Sequence, residues 1–140
     1  SGFRNKSLIN VQQNDINRIK LNQRGTTQTL SKTGQDWTLD GAMVVDSATA
    51  SGYLQGIQNL NGSEIVDTYT AAASADHELE LTTASQSVTV KIYNSGDSLK
   101  PFIMHSSANP GVYFKEDSAG AYQSLITGWK TLQSRLGQKK

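Results

Sequence analysis

Glu78-Leu79-Glu80-Leu81-Thr82-Thr83 and Ser87-Val88-Thr89-Val90-Lys91-Ile92, separated by Ala84-Ser85-Gln86, decide the fold class of this chain. Successive side chains of a strand point to opposite faces. Leu79 and Leu81 therefore share one face with Glu78 and Glu80 opposite, and Val88, Val90 and Ile92 share a face with Thr89 and Lys91 opposite. Two such runs joined by a short polar link read as a β-hairpin with one apolar and one polar side.

The pattern recurs on both sides of this hairpin. Towards the N-terminus, Asp15-Ile16-Asn17-Arg18-Ile19-Lys20-Leu21 puts Ile19 and Leu21 on one face and Arg18 and Lys20 on the other. Arg24-Gly25 supplies a turn, Thr27, Thr29 and Leu30 a second strand, and Thr33-Gly34 another turn. Trp37-Thr38-Leu39 is a third strand closed by Asp40-Gly41, which makes this region an antiparallel meander. Towards the C-terminus, Asn94-Ser95-Gly96-Asp97 marks a turn. Strands follow from Lys100 to His105 and from Val112 to Phe114, with Asn109-Pro110-Gly111 as turn chemistry between them.

Two segments change to helical spacing. Asp46 is an N-cap, because its carboxylate accepts from free N–H groups of the first turn. Ala50, Tyr53, Leu54, Ile57 and Leu60 follow as an apolar stripe, and Asn61-Gly62 ends the helix with Gly62 in a left-handed cap. Gly52 and Gly56 weaken this helix and point to close packing on the sheet. Asp117 caps a second helix with the stripe Tyr122, Leu125, Ile126, Trp129, Leu132 and Leu136, ending at Gly137. Residues 67–76 read as a connector. The expectation is a single α+β domain over residues 1–140, with strands-then-helix occurring twice (3–66 and 77–137). Its sheet is largely antiparallel, of about six to seven strands, with two covering helices.

Composition narrows the function. The chain has 140 residues, 36% of them apolar and 18% charged, with a net charge of +1. That supports a folded core and demands no polyanionic partner. Arg18, Lys20 and Lys91 have no interleaved surface aromatics, and Lys139-Lys140 reads as a solvated tail, so no nucleic acid is expected. With no cysteine there are no disulfides and no thiolate chemistry. No apolar run approaches the roughly 18 residues of a membrane span. Ser1-Gly2 resembles the scar of a removed tag, so the natural chain is expected to begin upstream, where a signal peptide or membrane anchor is possible.

No catalytic constellation stands out. His77 and His105 lack metal-ligand spacing. His105 and Ser106 are neighbours on a strand and so point apart, which disfavours a serine nucleophile. Glu78 and Glu80 fit a solvated strand face, and Glu116-Asp117 fits a helix start. No phosphate loop occurs, and Trp37 and Trp129 fall in apolar patterns that assign them to the core. No cofactor and no metal are expected.

Asp15-Ile16-x-x-Ile19-x-Leu21, Leu30-x-Lys32-x-Gly34-x-x-Trp37-x-Leu39, Asp46 and Tyr53-Leu54-x-x-Ile57-x-x-Leu60 together resemble a bacterial family of unknown function. It is found in extracytoplasmic parts of membrane-anchored proteins, some associated with gliding-motility ABC transporters. The resemblance covers the first half; the second half matches through its strands, including Val112-Tyr113-Phe114. It implies an envelope location, a membrane-anchored context and no catalytic residues. Asp46-Ser47-Ala48, Asp97-Ser98-Leu99 and Asp117-Ser118-Ala119 also resemble an O-glycosylation signal of bacterial envelope proteins. The expectation is a non-enzymatic envelope module with a protein partner. The alternative is a small-ligand module whose pocket lies between helices and sheet, near His105, Ser106, Asn109 and Tyr113.

Overall fold

A computed structural model describes residues 5–66, 69–70 and 74–134. Its strands are β1 (Ile16–Gln23), β2 (Thr26–Thr33), β3 (Asp36–Leu39), β4 (Met43–Val45), β5 (Glu64–Val66), β6 (His77–Thr83), β7 (Ser87–Asn94), β8 (Phe102–Ser106) and β9 (Tyr113–Glu116). Helix α1 (Ser47–Ile57) precedes β5, and a π-helical segment (Gln123–Thr127) continues into α2 (Gly128–Ser134). All nine strands form one sheet in the order β4-β3-β2-β1-β6-β7-β8-β9-β5, and every pairing is antiparallel.

This corrects the expected architecture of six to seven strands under two covering helices. The two additional strands, β4 and β5, have three residues each and form the sheet edges. Three residues are too few to show an alternation, and only pairing with a neighbour makes them strands. Both helices are short. β5, whose residues 64–66 lie within the expected first strands-then-helix stretch, pairs with β9 of the second. The β1–β6 pairing joins both groups into one sheet. The connector lies partly outside the described residues, as do the expected C-terminal helix end at Leu136 and Gly137, Lys139-Lys140 and Ser1-Gly2.

The registers build the apolar face row by row. Leu39, Leu30, Ile19, Leu81 and Val88 are successive cross-strand neighbours, and so are Leu21, Leu79 and Val90. Such rows pack side by side and supply the cross-strand contacts that stabilise a sheet. Alternation carried β1, β6 and β7 correctly. The Arg24-Gly25 turn is a type I′ hairpin turn, with φ of 50° and 91°. β8 starts at Phe102 rather than Lys100, because Pro101 has no N–H for a central strand.

Three elements close the apolar face: α1, the second helix and the N-terminal segment. Leu8, Ile9 and Val11 join the core with Trp37, Tyr53, Leu54, Ile57, Phe114, Leu125 and Trp129. The N-terminal segment is held by Leu8 N and Ile9 N donating to Leu60 O at 2.8 and 3.0 Å. Asp46 caps α1 as expected, accepting from Thr49 N at 3.0 Å. Gly62 does not cap it: α1 ends at Ile57, and Asn59 takes the left-handed conformation, with φ 48°. Gly62 instead lies against Phe114, where an added β-carbon would stand 2.2 Å from Cδ1. Gly52 and Gly56 are exposed, with no neighbouring atom within 4 Å of an added β-carbon, so they do not pack on the sheet.

Candidate functional site

The face opposite the core is not uniform. Across β2, β1 and β6 it carries Thr29, Lys20 and Glu80 as cross-strand neighbours, with Lys20 Nζ 3.7 Å from Glu80. This is the solvated face expected for the strand carboxylates. Across β7, β8 and β9 the same parity brings Tyr93, Ile103, His105 and Tyr113 together. Tyr93 is 7% exposed and Ile103 2% exposed, yet neither belongs to the main core.

Tyr69 packs on this second cluster. Its ring centroid is 5.3 Å from that of Tyr113 and 6.2 Å from that of Tyr93, and His105 lies 4.9 Å from Tyr113. Tilted contacts at these separations are the favourable arrangement for aromatic pairs. The His105 imidazole is oriented by Nε2, 3.0 Å from Pro110 O. Burial pushes the Tyr93 hydroxyl above its ordinary pKa, with Tyr113, Tyr69 and Glu78 adding to the effect. The rim is charged. Lys91 neighbours His105 and Lys115 neighbours Ile103 across the sheet, and Lys115 pairs with Asp97 at 3.3 Å. Beside Tyr93 lies a depression of about 610 Å³ lined by Asn22, Arg24, Asp76, Glu78 and Lys91. One wall is braced by Arg24 Nη2 donating to Asp76 at 3.1 Å.

Of the four residues expected at a ligand pocket, His105 and Tyr113 meet and the other two do not join them. Ser106 is fully buried on the core side; its hydroxyl donates to Leu8 O at 2.5 Å and accepts from Ala108 N at 3.0 Å. Asn109 donates from Nδ2 to Asn5 O at 2.7 Å. Both therefore tie the β8–β9 loop to the N-terminal segment. Strand alternation separates Ser106 from His105, as the sequence implies.

Glu116 is not part of a helix start. It ends β9 with no exposed surface, accepting from Ser63 N at 2.6 Å and Ser63 Oγ at 2.8 Å. Burial raises its pKa, and the two Ser63 hydrogen bonds work against that rise. Asp117 does not cap the second helix as expected: it accepts from Ala119 N and Gly120 N at 3.0 and 3.1 Å and so fixes the turn at 118–120, while the helix begins at Ala121. The three Asp-Ser-apolar motifs share this use of the aspartate: Asp46 caps α1, and Asp97 accepts from Leu99 N at 2.9 Å. Ser47, Ser98 and Ser118 are exposed beside them. His77 lies on the core side, 5.8 Å from Tyr122, and its buried Nδ1 has no hydrogen-bond partner among the described residues.

Among the described residues, no three His, Asp or Glu side chains group to hold a metal ion, and no helix is long and apolar enough to cross a membrane. Sequence reasoning missed Tyr93, whose signal is an aromatic ring on the parity of Thr89 and Lys91. Tyr69 gave no such signal, because it lies in a segment without a period. No protein-family profile, no curated protein and no solved structure matches this chain.

Proposed function

We propose that this chain is a non-enzymatic protein-binding module of the bacterial envelope, and that it docks through the β7–β9 part of the face opposite the helices. The observation that carries the reading is the second aromatic cluster. Tyr69, Tyr93, Tyr113 and His105 gather on that face, outside the main core and beside Lys91. Tyrosine is enriched in protein interfaces because it supplies large, rigid contact area together with a polar end, and residues of this type dominate binding energy. The envelope location and a membrane-anchored context rest on the likeness of residues 15–63 to the extracytoplasmic family.

A photo-crosslinking residue at Lys91, with Thr29 as the control on the same face, tests the docking surface in the native cell. The expected result is a discrete crosslinked protein at Lys91, absent at Thr29 and lost when Tyr113→Ala is added. Equal crosslinking at both positions, or none at Lys91, overturns the reading. Fractionation of the full-length protein with a carbonate wash tests the location: recovery in the cytoplasm refutes it.

A further inference from the structure

A second concave site lies at the opposite end of the β1–β6–β7 strands. Asn10, Gln12, Asn14, Asn17, Asn59 and Gln86 line a cleft of about 480 Å³, within the range of about 300–1,000 Å³ typical of small-molecule sites. Its walls come from three separate segments: the stretch leading into β1, Asn59 two residues past the end of α1, and the β6–β7 turn.

These walls are held together by the backbone. Asn59 N donates to Val11 O at 3.0 Å, and Gln13 N donates to Gln58 Oε1 at 2.9 Å. The turn is fixed by Thr83 Oγ, which accepts from Ser85 N and Gln86 N at 3.2 and 3.0 Å. Val11 and Thr83, 4% and 8% exposed, form the buried part of the lining. Two local irregularities bring amides to the rim. The β1–β6 register shifts between Ile16 and Arg18, which takes Asn17 out of the ladder, and bulges of this kind re-aim side chains at functional sites. Asn59 holds a left-handed φ of 48°, a conformation that asparagine tolerates better than most residues.

The chemistry of the lining is uniform. All six amide side chains are exposed and make no hydrogen bond to another described residue, so their donors and acceptors face solvent. Each amide brings two donor hydrogens and an acceptor oxygen. Asp15 is the single charged lining residue, so an anion finds no cationic partner. One carboxylate is also fewer than a calcium site usually assembles among its six to eight oxygen ligands. The apolar lining is too small for a lipid chain. What matches is a neutral ligand carrying adjacent hydroxyl groups, since an amide donates to one hydroxyl while accepting from the next.

We propose that this cleft binds a neutral carbohydrate, with Asn14, Asn17, Asn59 and Gln86 as the principal hydrogen-bonding groups and Asp15 accepting from a pair of hydroxyls. The site is separate from the aromatic face and does not depend on a protein partner docking there.

Side-chain NH₂ resonances make the test direct. The ¹⁵N-labelled full chain is titrated with triacetylchitotriose, cellotriose and maltotriose, with calcium chloride and sodium phosphate as the competing chemistries. Saturable shifts of the asparagine and glutamine amides of the cleft with at least one saccharide are expected, with Kd of about 0.1–5 mM. The double variant Asn14→Ala/Asn17→Ala, checked for an unchanged backbone spectrum, should bind about 10-fold more weakly or worse. Three outcomes overturn the proposal: no saturable shift of these amides with any of the three saccharides up to about 20 mM, equal affinity in the double variant, or a response to calcium or phosphate alone.

Discussion

The hydroxyl of Tyr53 donates to the carbonyl of Leu125 at 2.8 Å, joining α1 to the π-helical turn of the second helix. The same ring packs edge-on to Trp129, with centroids 5.8 Å apart, and lies against Gly128, where an added β-carbon would stand 3.0 Å from Tyr53 Cδ1. Within the wide turn, Gly128 N donates to Gln123 O. Burial pushes the Tyr53 hydroxyl pKa up, so it remains a donor at all physiological pH values.

Tyr53→Phe keeps the ring and removes this hydrogen bond. It should lower unfolding stability by about 1–2 kcal/mol, since a buried carbonyl loses its donor. Gly128→Ala should destabilise by a similar amount through crowding against the ring. Urea unfolding followed by tryptophan fluorescence reads both, because Trp129 sits in the affected contact.

Gly62 and the α1 glycines should respond in opposite directions to alanine. Gly62→Ala forces a methyl group into Phe114, and the expected loss is about 1–3 kcal/mol, the usual range for overpacking. Gly52→Ala and Gly56→Ala meet open space, so better helix propensity should raise stability by about 0.5–1 kcal/mol each. Thermal melts of the three variants decide this, and equal effects at Gly62 and Gly56 would contradict the packing described.

Glu116 makes stability fall as pH rises out of the acid range. Its folded pKa is raised above the ordinary carboxylate value by burial. The folded state therefore holds its proton more tightly than the unfolded chain. This contribution is fully present below about pH 4.5, where both states are protonated. It is lost as pH rises through the folded pKa. Glu116→Gln should flatten that part of the stability profile, as measured by urea midpoints across pH 4–8.

His77 acts with the opposite sign. Burial lowers its pKa, with Asp76 opposing and Arg24 and Lys130 reinforcing the shift. The folded state binds the proton less well than the unfolded chain. This contribution is present above about pH 6.5 and is lost as pH falls through the folded pKa. His77→Phe should remove the acid-side loss, seen as a smaller drop in Tm between neutral and mildly acidic pH. A drop equal to that of the parent protein would assign the acid sensitivity elsewhere.

How much was legible in the chain follows from the range of each interaction. The alternation of Leu79, Leu81, Val88, Val90 and Ile92 states which side of the sheet is buried, because side-chain direction in a strand is a local, period-two property. The Asp46 cap and the stripe from Ala50 to Ile57 state where α1 lies, since capping and helical spacing involve residues three or four apart. The Arg24-Gly25 turn is local in the same way. Composition alone removed cysteine chemistry from consideration.

Tertiary structure decided the rest. β4 and β5 are strands only because β3 and β9 offer edges for them to pair with. Gly62 reads as a helix cap in sequence, and only the approach of Phe114 shows why a side chain is excluded there. Ser106 and Asn109 read as site residues, yet the N-terminal segment claims both. Tyr69 joins Tyr93 and Tyr113, and Asn17 joins Asn59 and Gln86, across segments far apart in the chain. Periodicity reports which face a residue occupies on its own element. It carries no information about which other element arrives at that face, and both candidate sites of this protein are built from such arrivals.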